Sequence, residues 1–230
     1  MWSSPFRRSS YDSKSVKKYI IPFALISVAL LATDHKTADY LPNTTDQTLW
    51  SSRVSKMGAW YSLAGVSGST YLVGKLAGDN HAKEAGLLAL EALGHAQVFV
   101  FAIKQVSNRQ RPYQNDGTGS FWKGGNSFPS GHAASSFAVA TIFAREYRDH
   151  IAVPIVAYSL ATAISISRIG AQRHWMSDIF VGGSMGFLIG RYTYRQNHDR
   201  SLPGAKVSGI GKLMPQVGLG PAGPALSWAF

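Results

Sequence analysis

The sequence predicts an all-α protein, a six-helix transmembrane bundle followed by an irregular Gly/Pro-rich tail. Three observations predict it. Six apolar runs have helical length and lack the strict alternation of strands. Lys and Arg collect on one side of those runs, as they do in cytoplasmic loops. Gly182, Gly186 and Gly190 lie four apart on the last run, a spacing that lets membrane helices approach closely. With 230 residues, 45% hydrophobic and 15% charged, the chain is long enough for one core and short for two domains. It divides into a basic arm (1–18), a helical domain (19–195) and a tail (196–230). A net charge of +11 points to anionic partners: nucleic acid, a membrane surface or a phosphorylated substrate. There is no cysteine, which excludes a disulfide framework and a thiolate metal site. The mean hydropathy of −0.03 keeps a soluble helical bundle open beside the membrane reading.

The arm carries Arg7, Arg8, Lys14, Lys17 and Lys18 against Asp12. The first apolar run, Tyr19 to Ala32, follows Lys17-Lys18 and also fits a cleaved signal peptide, although Leu30 and Ala32 make a weak cleavage site. A stretch rich in Asp, Thr and Asn then leads to Lys56 and is assigned no element. The remaining runs are Met57 to Gly74, Ala85 to Ile103, Ala133 to Ala144, Ile151 to Ser167 and Ile179 to Gly190. Met57 to Gly74 and Ile151 to Ser167 are uncharged and approach the ~20 residues that span a bilayer, whereas the first run is shorter and the third holds Glu91 and His95. If the amino terminus is cytoplasmic, the arm, Lys75, Lys83, Arg145, Arg148, Arg191, Arg195, Arg200, Lys206 and Lys212 all fall inside, fourteen of the 23 basic residues.

Three short stretches carry chemistry. The first is KQVSNRQRP, Lys104 to Pro112. Residues seven apart share a helix face about 10 Å apart by rise, and Pro112 disfavours helix in the residue before it. Lys104 and Arg111 should therefore face one space where the third helix ends. Alone, they also read as interfacial cations snorkelling to water. The second is NSFPSGH, Asn126 to His132. Ser130 is a suitable N-cap, and Gly131 and His132 then occupy a first helical turn, where free amides and the helix dipole favour an anion. The third is SRIGAQRHWMSD, Ser167 to Asp178. If the sixth helix starts near His174, His174 and Asp178 share a face, and the carboxylate can hold one ring nitrogen and leave the other free.

Alternating helices bring these stretches to one end of the bundle. Three cations and two imidazoles converging there would repel a divalent metal and clamp a phosphate, so the pocket reads as an anion site with no metal. Trp122, Phe128 and Trp175 flank the stretches and read as interfacial anchors ahead of the other role open to them, contact with an acyl or isoprenoid chain.

Lys104 with Arg111-Pro112, the tetrad Pro129 to His132, and Ser167-Arg168 with His174 and Asp178 together resemble the three-part signature of the type 2 phosphatidic acid phosphatase superfamily. That superfamily includes lipid phosphate phosphatases, bacterial acid phosphatases and vanadium haloperoxidases. The resemblance covers Lys104 to Asp178, about a third of the chain. It implies a phosphohistidine mechanism in which His174 is the nucleophile, Asp178 orients it and His132 is the general acid. Lys104, Arg111, Ser130, Gly131 and Arg168 would hold the phosphate oxygens. It further implies no cofactor, a lipid phosphate or diphosphate substrate rather than nucleic acid, and a bacterial inner-membrane location with the site facing the periplasm. A soluble periplasmic acid phosphatase, a haloperoxidase, a lipid phosphotransferase and a non-enzymatic anion-binding protein use the same pocket and stay open at this point.

Overall fold

A computed structural model describes residues 16–39, 44–114, 118–198, 216–220 and 223–227. A π-helical turn, Val16–Ile20, leads into α1 (Ile21–Asp39). Then follow α2 (Thr45–Met57), α3 (Trp60–Ala77), α4 (Asn80–Ser107), α5 (Gly131–Glu146), α6 (Ala152–Gly170) and α7 (Met176–Asn197). All six expected helices are present. The polar stretch before Lys56, which the sequence assigned no element, also forms a helix, α2. Its start has the local signals: Thr44 accepts a hydrogen bond from the Gln47 amide at 3.3 Å, and Asp46 lies in the first turn. What it lacks is an apolar run. The tail, expected to be irregular, carries an antiparallel hairpin of β1 (Gln216–Gly220) and β2 (Gly223–Ser227), with Gln216 opposite Ser227 and Gly220 opposite Gly223.

The centre of the bundle is made by α4, α5 and α7. On α4, Leu88, Ala92, Ala96 and Val100 recur every fourth residue and form one buried stripe with Ala89 and Leu93. They pack on Ala134, Ala138, Val139 and Ile142 of α5 and on Tyr194 of α7. The α5–α7 seam is closer still. A Cβ at Gly182 would stand 2.6 Å from the Ser130 carbonyl oxygen, and one at Gly186 or Gly190 would run into the carbonyls of Ala134 or Ala138. Each added methyl would force the two helices apart at a cost of about 1–3 kcal/mol. The glycine stripe therefore sets the start of α7 against the start of α5.

Among the described residues, three helices are long and apolar enough to cross a membrane: Lys17–Ala38, Asn80–Ser107 and Ala152–Gly170. This changes the assignment of spans. The first run extends as continuous helix well past Ala32 and reaches spanning length. Met57 to Gly74 is not among the three, because Ser62, Gly65, Ser67, Gly68, Ser69 and Thr70 dilute α3. Glu91 and His95 turn inward to α7, where Glu91 accepts from Asn197 Nδ2 and the His95 ring lies 3.2 Å from Thr193 Oγ1. The outward faces are apolar, with Leu25 and Val28 on α1, Val98 and Phe101 on α4, and Ile155 and Ile166 on α6 exposed. Such a belt is what a bilayer covers, and the protein is a membrane-embedded bundle.

Candidate active site

The carboxyl ends of α1, α2, α4 and α6 and the amino ends of α5 and α7 meet at one end of the bundle. Helix α4 stops at Asn108, which takes a left-handed conformation (φ 42°) and donates its amide to Lys104 O at 3.1 Å. Lys104 thus sits in the last helical turn, while Arg111 lies beyond the helix. The two face one space, but not along a helix face: a loop brings Arg111 round, because Asn108 ends the helix three residues before it. The loop is then pinned to the helix end by Trp122 N to Ser107 O at 3.0 Å, Gly125 N to Asn108 O at 3.0 Å and Ser127 N to Arg109 O at 2.9 Å. Lys104 Nζ donates to Asn126 O on the returning strand of that loop.

Ser130 caps α5, and its hydroxyl accepts from the Ala133 amide at 3.4 Å. Gly131 and His132 are the first two residues of the helix, so their amides have no intrahelical acceptor. The backbone joins this turn directly to α7 through Ser130 N to Asp178 O at 3.0 Å. His132 lies within the field of Arg168, His174, Lys104 and Arg111, which places the two imidazoles and three cations together.

Helix α7 starts at Met176, two residues later than expected, and His174 precedes it in the turn after α6. The i,i+4 relation still brings His174 Nδ1 to 3.5 Å from Asp178 Oδ2. That is longer than a formed hydrogen bond, and Nδ1 has no other partner among the described residues. Catalytic contacts of this kind commonly tighten only when substrate binds. His174 is 2% exposed. Burial, set against the pull of Asp178, brings its pKa down to about 4, so the imidazole is neutral at physiological pH.

Asp178 is held from three sides. Oδ2 accepts from the Trp175 amide at 2.9 Å and from the Ser127 hydroxyl, and Oδ1 accepts from Arg109 Nη1 at 2.6 Å. Arg109, absent from the sequence reading, is 3% exposed and uses its whole guanidinium: Nε donates to Gly119 O at 2.9 Å, Nη1 also to Ser177 Oγ at 2.7 Å, and Nη2 to Asp34 Oδ2 at 2.8 Å. Its plane lies over the rings of Phe121 (4.9 Å) and Trp175 (5.4 Å). Asp34 comes from α1, is 1% exposed, and accepts from the Ser177 amide at 3.1 Å and from its hydroxyl. A chain Asp34, Arg109, Asp178 and His174 thus runs from the first helix to the pocket. Asp34 had a sequence signal, as the first acid after an apolar run. Trp175, read as an interfacial anchor, is instead 2% exposed and donates Nε1 to Gln110 O at 2.8 Å, whereas Trp122 is exposed.

The remaining cations are left for a ligand. Among the described residues, Lys104, Arg111 and Arg168 have no ion-pair partner; Arg168 donates Nη1 to the Ser55 hydroxyl of α2. The buried Nε atoms of Arg111 and Arg168 have no hydrogen-bond partner among them either. Buried donors are normally satisfied, and those of a guanidinium suit the oxygens of a phosphate. A divalent metal at His132, His174 and Asp178 would meet these cations at close quarters, and Asp178 already spends its oxygens on Arg109, Ser127 and Trp175.

Fold and site define a class: a helical membrane bundle that closes one end over a cation-rich anion pocket containing two histidines. Residues 85–202, about half of the chain, match the PAP2 superfamily, and the protein belongs to it. It is 40% identical over 111 residues to the lipid A 1-phosphatase of Porphyromonas gingivalis, covering 47% of this chain and 23% of that one. It is 38% identical over 85 residues to the probable diacylglycerol pyrophosphate phosphatase 1 of Schizosaccharomyces pombe, covering 32% and 30%. The match therefore spans under a third of the length of these curated relatives. The fold is similar to that of LpxE of Aquifex aeolicus (TM-score 0.53, 22% identity, covering 66% of this chain and 87% of that one). It is also similar to a transmembrane PAP2-type phosphatidylglycerolphosphate phosphatase of Bacillus subtilis (TM-score 0.56, 20% identity, covering 78% and 97%).

Proposed function

We propose that the protein hydrolyses lipid phosphate monoesters or lipid diphosphates through a phosphohistidine, with no metal in the pocket. One observation carries the reading: the buried, unpartnered guanidinium Nε atoms of Arg111 and Arg168 stand beside a buried, neutral His174 backed by Asp178. His174 attacks phosphorus as the bond to the leaving oxygen breaks, and His132 gives that oxygen a proton. Water then attacks the phosphohistidine, losing its proton to His132, and releases phosphate with His174 restored. Lys104, Arg111 and Arg168, with the Ser130 hydroxyl and the Gly131 amide, hold the equatorial oxygens, and Asp178 supports the charge that develops on His174. Relatives whose names specify a lipid phosphate and a lipid pyrophosphate support both substrate types.

The setting we propose is a bacterial inner membrane with the pocket facing the periplasm. The excess of Lys and Arg beside the opposite helix ends, at Lys75, Lys83, Arg145, Arg148, Arg191 and Arg195, supports that orientation. The place of Asp34 in the Arg109 network supports retention of α1 in the working protein. The test is phosphate release by the purified protein in detergent from phosphatidate, phosphatidylglycerol phosphate, a polyprenyl diphosphate and lipid A. Turnover of at least one, lost in His174→Ala, is expected. Folded protein with no turnover on any of the four overturns the proposal.

A further inference from the structure

The other end of the bundle gathers a second set of titratable side chains. Glu84 stands in the second turn of α4, Glu146 is the last residue of α5, and His198 follows the last residue of α7. His198 Nδ1 lies 2.8 Å from Glu84 Oε1 and 3.4 Å from Glu146 Oε2, and donor atoms of the three residues all fall within 4.8 Å of one another. A second imidazole, His81, places Nδ1 2.7 Å from the other oxygen of Glu146. None of these residues belongs to the pocket: Glu146 is the far end of the helix that Ser130 caps, roughly 24 Å away by helical rise.

We propose that Glu84, Glu146 and His198 bind a divalent cation of the zinc class, which ties together the inner ends of α4, α5 and α7. The set mixes one imidazole with two carboxylates, a ligand combination that zinc accepts, and its two negative charges match the ion. Zinc–nitrogen and zinc–oxygen bonds of about 2.0–2.2 Å put tetrahedral ligands about 3.3 Å apart, close to the separations found here. A second, independent observation points into the same space. His198 is 4% exposed and Glu146 6%, yet neither ring nitrogen of His198 nor Oε2 of Glu146 makes a hydrogen bond among the described residues. An imidazolium paired with carboxylates would direct a ring N–H at an oxygen. Here the oxygens flank Nδ1 without hydrogen-bond geometry, as ligands do around a shared ion.

The surroundings orient the ligands. Tyr194 stacks on the His198 ring at 4.5 Å with an interplanar angle of 16°. His81 donates to Glu146 Oε1 and leaves Oε2 for the ion, the part that outer-shell partners play in metal sites. The ion would be structural, joining helix ends that no covalent link holds, and the anion pocket would work without contacting it.

The test uses the full-length protein purified in detergent without a polyhistidine tag, stripped with a chelator and titrated with zinc ion alone. One zinc per chain and a raised thermal midpoint are expected. Both should be lost in Glu146→Gln and in His198→Gln, while His81→Ala should weaken zinc binding about 10- to 100-fold. The wild-type measurement stands even where a variant fails to fold. No stoichiometric zinc on wild-type protein overturns the proposal, as does equal binding by wild type and both folded ligand variants. Loss of phosphate release on stripping, with the helical circular dichroism unchanged, would place the metal in the chemistry and also overturn it.

Discussion

Asp34 gives the sharpest perturbation, because this carboxylate ties α1 into the hydrogen-bond network behind the pocket. It is fully buried and accepts three hydrogen bonds: Arg109 Nη2 at 2.8 Å, the Ser177 amide at 3.1 Å and the Ser177 hydroxyl. Asp34→Ala removes all three. The bond between opposite charges contributes about 1.5–3 kcal/mol and each of the others about 1 kcal/mol, so the loss is about 3–5 kcal/mol, the range found when one partner of a buried pair is deleted. Asp34→Asn keeps the shape and one acceptor but faces Arg109 without charge, and should lose about half as much. Reversible unfolding in mixed detergent measures both. Because Arg109 also holds Asp178 at 2.6 Å, the folded fraction of Asp34→Ala should show a lower kcat with little change in KM. A double-mutant cycle with Arg109→Met should give a coupling energy well above 1 kcal/mol. Additive losses, or wild-type stability in Asp34→Ala, would refute the claim that this network braces the site.

Further predictions follow from the same geometry. His132→Ala should lower kcat/KM, which reports the phosphorylation step, far more for an alkyl phosphate than for a nitrophenyl phosphate, since a general acid matters most for a poor leaving group; equal losses of kcat/KM on the two would assign His132 to binding alone. Burial lowers the His174 pKa to about 4, so in His132→Ala, where no general acid titrates, kcat/KM on a nitrophenyl phosphate, corrected for substrate ionisation, should fall as pH drops through about 4 rather than through 6.5. An acid limb near 6.5 would mean that the free imidazole is solvated. The chain has no native cysteine, so Ser10→Cys, Ser120→Cys and Ser208→Cys report topology cleanly. Only Ser120→Cys should react with a membrane-impermeant thiol reagent in intact cells, and labelling at Ser10→Cys or Ser208→Cys instead would place the pocket in the cytoplasm.

The pocket was legible in the sequence because its parts are local. Ser130 to His132 is a helix start, and His174 and Asp178 stand four positions apart across the start of α7, so short spacings bring the parts together. The helices were legible wherever an apolar run marks them, whether buried in the bundle or turned outward as on α1, and α2 escaped because its cap is present without such a run. The route by which Arg111 arrives was not legible, because one residue, Asn108, ends α4 in a left-handed conformation and a loop carries the chain on. Arg109 and Asp34 stand 75 positions apart and meet only when α1 packs on α7, which no local pattern reports. The same holds for Glu84, Glu146 and His198, which stand on α4, on α5 and just after α7.

The central claim is that His174 takes the phosphoryl group in a pocket built for its oxygens. Rapid alkaline quenching of the purified protein during turnover, followed by digestion and mass spectrometry, tests it directly, since a phosphohistidine survives base. The account predicts one phosphoryl group on the peptide containing His174, formed in the first turnover, absent from His174→Ala and accumulating in His132→Ala when a good leaving group is used. Phosphate release at the wild-type rate by folded His174→Ala, or a phosphoryl group trapped on another residue, would contradict it.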